Sequence, residues 1–211
     1  MMNLRLAALG ATTAAVLALA SPVTAQANAP ENVIMETSTE ILQAIEKDRD
    51  ALAADPDALQ KVVDDILLPR FDREYSGRLV MGKSYRDATP EQRERFIMGL
   101  YQKLVRTYSS AILEYDSDSL RIKGTKGDLA DGKVIVESEV KLEDGTTVPV
   151  GYRMRESDGT WKAYDVIIEG ISYVTNYRKQ YASEFRAKGI DQVIAELEAK
   201  AEAPPEEGAT E

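Results

Sequence analysis

Residues 133–170 read KVIVESEVKLEDGTTVPVGYRMRESDGTWKAYDVIIEG. Apolar side chains recur at Val134, Val136, Val140 and Leu142, and again at Val148, Val150, Tyr152 and Met154. Every second position is the period of a strand with one face buried. Glu143-Asp144-Gly145-Thr146 and Ser157-Asp158-Gly159 supply the residues that tight turns demand. The stretch therefore predicts an antiparallel meander. Its last strand, Trp161 to Glu169, carries the run Val166-Ile167-Ile168, which reads as more fully buried than the strands before it. Just upstream, Leu120 and Ile122 alternate with charges and give one more strand, about four in all.

On the N-terminal side of the sheet the period is 3.6. Thr89-Pro90-Glu91-Gln92 is a capping box with proline at the first helical position, and it launches a helix with Phe96, Ile97, Leu100, Tyr101, Leu104, Val105, Tyr108 and Ile112 at helical spacing. Before it, Val33 to Leu52 carries Ile34, Ile41, Ile45 and Leu52 on one face. Asp55-Pro56 caps a second helix with Leu59, Val62, Val63, Ile66 and Leu67, and Phe71 to Gly82 reads as a short third. Beyond the sheet, Ser172 caps a helix with Val174, Tyr177, Tyr181 and Phe185. Gly189-Ile190-Asp191 opens a last helix with Val193, Ile194 and Leu197. Helices first and strands later, without βαβ alternation, predict an α+β fold in which helices cover one face of a curved antiparallel sheet. Such a pairing leaves an apolar cavity between its layers, the natural place for a site.

Residues 1–25 read as a secretory signal peptide: a basic start at Met1–Arg5, an apolar run from Leu6 to Ala20 too short to span a membrane, and small residues for cleavage after Ala25 or Ala27. Residues 28–200 form one domain. Residues 201–211, rich in Pro, Gly and Glu, have nothing to bury and are expected to be a disordered acidic tail. The 211 residues contain no His and no Cys. That removes triads built on histidine, disulfides, lipid attachment at an N-terminal cysteine and the usual zinc ligand sets. With 26 Lys+Arg against 36 Asp+Glu, the net charge of −10 argues against nucleic acid as a partner. Gly124-Thr125-Lys126-Gly127 only imitates a phosphate loop and is expected to be a turn.

Periodicity nominates Leu79, Met81, Phe96, Leu100, Leu104 and Tyr108 on helices as cavity walls, with Val136, Val140, Val150, Tyr152, Met154, Val166 and Ile168 on strands. Ten tyrosines against three phenylalanines fit an amphipathic pocket or a wet rim. The segment 70–86 is locally basic, and Arg70, Arg73, Lys83 and Arg86 are candidates for contact with a partner or an anionic headgroup. Asp165, in an otherwise apolar strand, is either an acceptor for a neighbouring turn, Arg or Tyr, or a catalytic base with Tyr108 or Tyr152 as proton donor. An enzyme acting on a small apolar substrate and a protein-binding module that uses the 70–86 face are two readings that these residues leave open.

Several segments together resemble the MlaC family of periplasmic phospholipid shuttles, also called toluene-tolerance auxiliary transport proteins. They are Ile66-Leu67-Leu68-Pro69-Arg70-Phe71-Asp72, Met81-Gly82-Lys83 before Tyr85-Arg86, Ala88-Thr89-Pro90-Glu91-Gln92-Arg93 with Phe96, and Thr107-Tyr108. Trp161-Lys162-Ala163-Tyr164-Asp165-Val166 and Glu169-Gly170-Ile171-Ser172 with Asn176-Tyr177-Arg178 complete the set. Arg70 stands where the family often has His, and Tyr85 where Trp is common. The resemblance implies an NTF2-like or cystatin-like α+β fold whose cavity takes up acyl chains. It implies phospholipid as cargo with no cofactor and no metal, a periplasmic monomer without stable membrane insertion, and two docking partners. These are an outer-membrane lipoprotein–porin complex and the MCE-domain component of an inner-membrane ABC transporter.

Overall fold

A computed structural model describes residues 29–113, 119–142 and 144–202. The expected signal peptide lies outside them, as does the tail beyond Glu202. Helix α1 (Pro30–Ala54) is interrupted by non-helical backbone at Asp48. Asp55 then caps α2 (Pro56–Leu67), its carboxylate accepting from the backbone N–H groups of Asp57 and Ala58. A 3-10 turn at Leu68–Arg70 leads into α3 (Arg73–Met81), capped by Asp72, and α4 (Ser84–Asp87) follows. The capping box is formed as read: Gln92 N–H donates to Thr89 Oγ1 at 3.1 Å, and Thr89 N–H to Gln92 Oε1 at 2.9 Å. It starts α5 (Pro90–Leu113), 24 residues and about 36 Å long at 1.5 Å per residue.

Strands β1 (Leu120–Lys126), β2 (Lys133–Lys141), β3 (Thr147–Ser157) and β4 (Thr160–Ile168) pair antiparallel in sequence order. A two-residue β5 (Ile171–Ser172) adds a fifth strand to the four expected. The β3–β4 turn places Asp158 and Gly159 at φ 53° and 74°. Two successive left-handed residues match the strand twist, as the Asp-Gly pair predicts. Helices α6 (Tyr173–Lys188) and α7 (Ile190–Glu202) close the chain against α5.

Three apolar clusters hold the fold. Phe96, Ile97 and Leu100 of α5 pack with Val80 and Met81 of α3, Tyr181 and Phe185 of α6, and Val193, Ile194 and Leu197 of α7. Gly77 lets α3 approach so closely that a Cβ there would lie 2.4 Å from Ile97 Cγ1. A second cluster joins Ile45 and Leu52 of α1, Leu59 and Val63 of α2, and Tyr101 and Val105 of α5. The third joins Ile34 of α1 to Val134, Val136, Met154 and Trp161 of the sheet.

Candidate functional site

The three clusters do not merge. Between them, with α1, α2, α3, α5 and α6 on one side and the sheet on the other, lies a cavity of about 510 Å³. Each cluster gives it part of a wall: Leu100 and Val80 from the first, Val63, Tyr101 and Val105 from the second, Ile34 from the third. Leu100, Leu104 and Tyr108 face it from one stripe of α5, and Val33, Ile34, Thr37 and Ile41 from one face of α1.

The sheet wall depends on an irregularity. Arg153 pairs with Asp165 but Met154 with Ala163, which leaves Tyr164 as an extra residue in β4. The bulge reverses which positions face the helices: Trp161 and Ala163 before it, Val166 and Ile168 after it. Val166 and Ile168 are half-buried, not more fully buried as their apolar run suggests, because they face open space instead of packed side chains.

Of the thirteen wall positions read from periodicity, Leu100, Leu104, Tyr108, Val140, Tyr152, Val166 and Ile168 line the cavity. Leu79, Met81, Phe96, Val136, Val150 and Met154 do not. Met81 and Phe96 are consumed in the α3–α5–α6 cluster, and Val136 and Met154 pack under Trp161 and Ile34. Val150 is buried in mid-sheet between Ser138 and Ile168, and Val80 takes the α3 wall position beside Leu79. Tyr164, Tyr173 and Tyr177 line the cavity as the pocket reading of the tyrosines, weighed against a wet rim, allows, whereas the thirteen leave out Leu120, Val174 and the walls from α1 and α2. Their stripes were visible, but a stripe marks the inward side of a helix without saying whether a side chain or a void lies opposite.

The basic segment does not act together. Arg70 reaches the cavity, donating to Ile66 O at 2.8 Å and pairing with Glu40 at 2.5 Å. Arg73 turns to the sulfur of Met98 on α5, while Lys83 and Arg86 stand exposed away from the cavity. Asp165 is buried. One carboxylate oxygen accepts the Val174 N–H at 2.9 Å. The other accepts Ser172 Oγ at 2.6 Å and Arg153 Nη1 at 3.0 Å. Ser172 Oγ in turn accepts the Thr175 N–H as the cap of α6. Both carboxylate oxygens thus fix the start of α6 on the sheet, the acceptor role weighed for this residue.

Tyrosines occupy the wall and its surroundings. Tyr101 is buried and donates to Asp64 at 2.8 Å, and burial first, then that bond, raises its pKa well above the usual phenol range. Tyr108, Tyr173 and Tyr177 line the cavity and are raised chiefly by burial. Tyr75 goes the other way: its hydroxyl meets Lys133 Nζ at 3.0 Å, which lowers its pKa. Among the described residues, no cluster of three or more Asp or Glu side chains has the geometry to hold a metal ion.

A family model described as MlaC protein matches residues 35–199. The chain belongs to the MlaC family. The match runs from within α1 to within α7 and takes in the whole sheet, and it confirms the kinship suggested by the segments around Ile66, Thr89 and Trp161. Toluene tolerance protein ttg2D of Pseudomonas putida is 32% identical over 179 residues, covering 83% of this chain and 82% of its own. The intermembrane phospholipid transport system binding protein MlaC of Haemophilus influenzae is 26% identical over 179 residues, covering 83% of each chain. Among solved structures, a phospholipid-binding protein from Ralstonia solanacearum in complex with a phospholipid superposes with a TM-score of 0.74. It is 26% identical, and the match covers 80% of this chain and 94% of that one. The α+β architecture of this MlaC-family chain is therefore shared with a protein solved with lipid bound.

Proposed function

We propose that this protein is a periplasmic phospholipid carrier that shuttles lipid between an outer-membrane lipoprotein–porin complex and the MCE-domain component of an inner-membrane ABC transporter. The observation that carries the reading is the apolar cavity between helices and sheet, whose lining among the described residues includes two charged side chains, Arg70 and Asp165, each already paired. Kinship with a phospholipid transport binding protein and a phospholipid-bound neighbour supports it. Some thirty methylenes of a diacyl lipid, at about 0.8 kcal/mol each, make unassisted passage through water prohibitive, on the order of 24 kcal/mol. A container that excludes water from the chains removes that barrier, and docking must reshape it for release. Among the described residues no helix is long and apolar enough to cross a membrane. Asp165, with both oxygens engaged in fixing α6, gives no support to the reading as a general base.

The test is purification of the mature protein from a Gram-negative host without detergent, native mass spectrometry, and extraction of the bound molecules. Phospholipid close to one molecule per chain is expected. A mass equal to that of the bare polypeptide in every preparation refutes the carrier function.

A further inference from the structure

Several polar side chains of the cavity are engaged within the fold. Thr37 spends its hydroxyl on Val33 O within α1, and Arg70 and Asp165 are paired inside the fold. The phenols of Tyr108, Tyr173 and Tyr177 are different. They meet where the C-terminal half of α5 crosses the first turns of α6, with ring centroids 5.7 Å apart for Tyr108 and Tyr173 and 6.3 Å for Tyr173 and Tyr177. The ring contacts bring the three phenols together on one part of an otherwise apolar wall. Each phenol carries one O–H, so the group acts as a composite hydrogen-bond donor.

Location and charge say what that donor suits. Tyr108 is 37% exposed, so the cluster sits where the cavity opens to solvent, not at its closed end. The Lys103 ammonium lies 5.5 Å from the Tyr177 ring centroid and 5.9 Å from that of Tyr181. Burial pushes the Tyr173 phenol up to about 12 and raises the other two, so all three keep their protons at neutral pH and remain donors. A polar donor in an apolar wall is costly to cover with a methylene chain, but it forms a charge-assisted bond with an anionic oxygen.

We propose that Tyr108, Tyr173 and Tyr177, with Lys103 beside them, form the subsite that holds the phosphodiester of a glycerophospholipid whose acyl chains fill the cavity. The inference rests on the carrier reading above and adds where the headgroup lies and what selects it. A diacylglycerol offers the same chains and ester carbonyls without the anion, so it isolates the contribution of the subsite.

The experiment loads the purified protein from vesicles containing equal amounts of dioleoylphosphatidylglycerol and dioleoylglycerol, and measures the ratio of the two bound lipids by mass spectrometry. Wild type is expected to prefer the phospholipid. Tyr177→Phe alone keeps every ring contact and is expected to lower the ratio; the triple variant Tyr108→Phe, Tyr173→Phe, Tyr177→Phe is expected to lower it about ten- to a hundredfold with total lipid unchanged. Lys103→Gln is expected to shift it the same way, and Tyr85→Phe, outside the cavity, to leave it alone. Ratios equal to wild type in both Tyr177→Phe and the triple variant overturn the subsite while leaving the carrier reading intact. Wild type that takes up neither lipid overturns both.

Discussion

Replacing Asp165 by alanine tests whether the start of α6 is held on the sheet by this carboxylate. The side chain is fully buried, so the substitution leaves the Val174 N–H without its acceptor, while the Ser172 hydroxyl can turn to Thr175 Oγ1 at 2.8 Å. A donor left unsatisfied beneath the helix costs about 1–3 kcal/mol. Arg153 is 37% exposed and can rehydrate, so losing its partner adds less than a buried pair would, about 1 kcal/mol or less. The expected loss is about 3 kcal/mol, a fall in Tm of about 6–12 °C at about 2–4 °C per kcal/mol for a domain of this size. Asp165→Asn keeps one acceptor oxygen for Val174 N–H and should lose roughly half as much. Urea unfolding followed through the single Trp161, itself buried on β4, reports the midpoint directly. An Asp165→Ala protein within about 0.5 kcal/mol of wild type refutes the anchoring argument. A role as general base predicts the reverse pattern, with stability kept and a turnover lost.

Val166→Trp projects an indole into the cavity and should cut co-purified lipid severalfold while the protein stays folded. Val150→Trp instead overpacks mid-sheet and should cost about 1–3 kcal/mol with less effect on lipid; equal lipid in wild type and Val166→Trp contradicts the wall assignment. Gly77→Ala gains about 1 kcal/mol of helix propensity but drives its methyl into the stiff, buried Ile97 2.4 Å away, for a net loss of about 1–2 kcal/mol by denaturant unfolding; a stabilised variant would show that α3 and α5 separate easily. Tyr101, Tyr108, Tyr173, Tyr177 and Tyr181 all have folded pKa values raised above the unfolded value of about 10, so the folded form keeps protons that the unfolded chain releases. Stability is therefore complete below about pH 10 and falls as pH rises from about 10 toward 12, at up to about 1.4 kcal/mol per pH unit for each such residue, with Tyr75, whose pKa is lowered, opposing the trend. Urea midpoints that stay level from about pH 9 to 11 contradict it.

Local chemistry was the part of the fold written most plainly in the chain. Thr89 with Gln92, Asp55 before Pro56 and Ser172 before Tyr173 each bind backbone donors within three residues, so short-range sequence suffices to place those helix starts. Strand alternation marked β2 and β3 because one face is buried and the other wet. What did not show is what lies across a gap. Phe96 and Leu104 belong to one amphipathic helix, yet Phe96 meets Tyr181 and Phe185 while Leu104 meets open space. The difference is set by α6, more than seventy residues further on. The bulge at Tyr164 was equally hidden, because a continuous run through Val166, Ile167 and Ile168 has no alternation to reveal a change of parity. Arg70 and Arg86 are close in sequence, but α3 and its turn carry them to different surfaces.

The division of the interior into three clusters explains how the chain keeps an apolar cavity without collapsing into it. A domain with one continuous core would gain dispersion contacts by closing such a void. Here each cluster is closed by its own elements: Ile194 and Phe96 between α5 and α7, Ile45 and Val63 between α1 and α2, Val136 and Met154 beneath Trp161. Helix α5 contributes Phe96, Ile97 and Leu100 to the first cluster and Tyr101 and Val105, from the turns that follow, to the second, so its rigid backbone holds the two apart. The wall residues are the seams of these clusters, half-buried at Leu104, Val140, Val166 and Ile168. Widening a seam exposes those side chains but leaves the fully buried Phe96, Ile45 and Val136 packed. Packing and lining overlap at Leu100, Val80, Val63, Tyr101, Val105 and Ile34 but separate at these seams, so the cavity can widen there without unpacking Phe96, Ile45 or Val136.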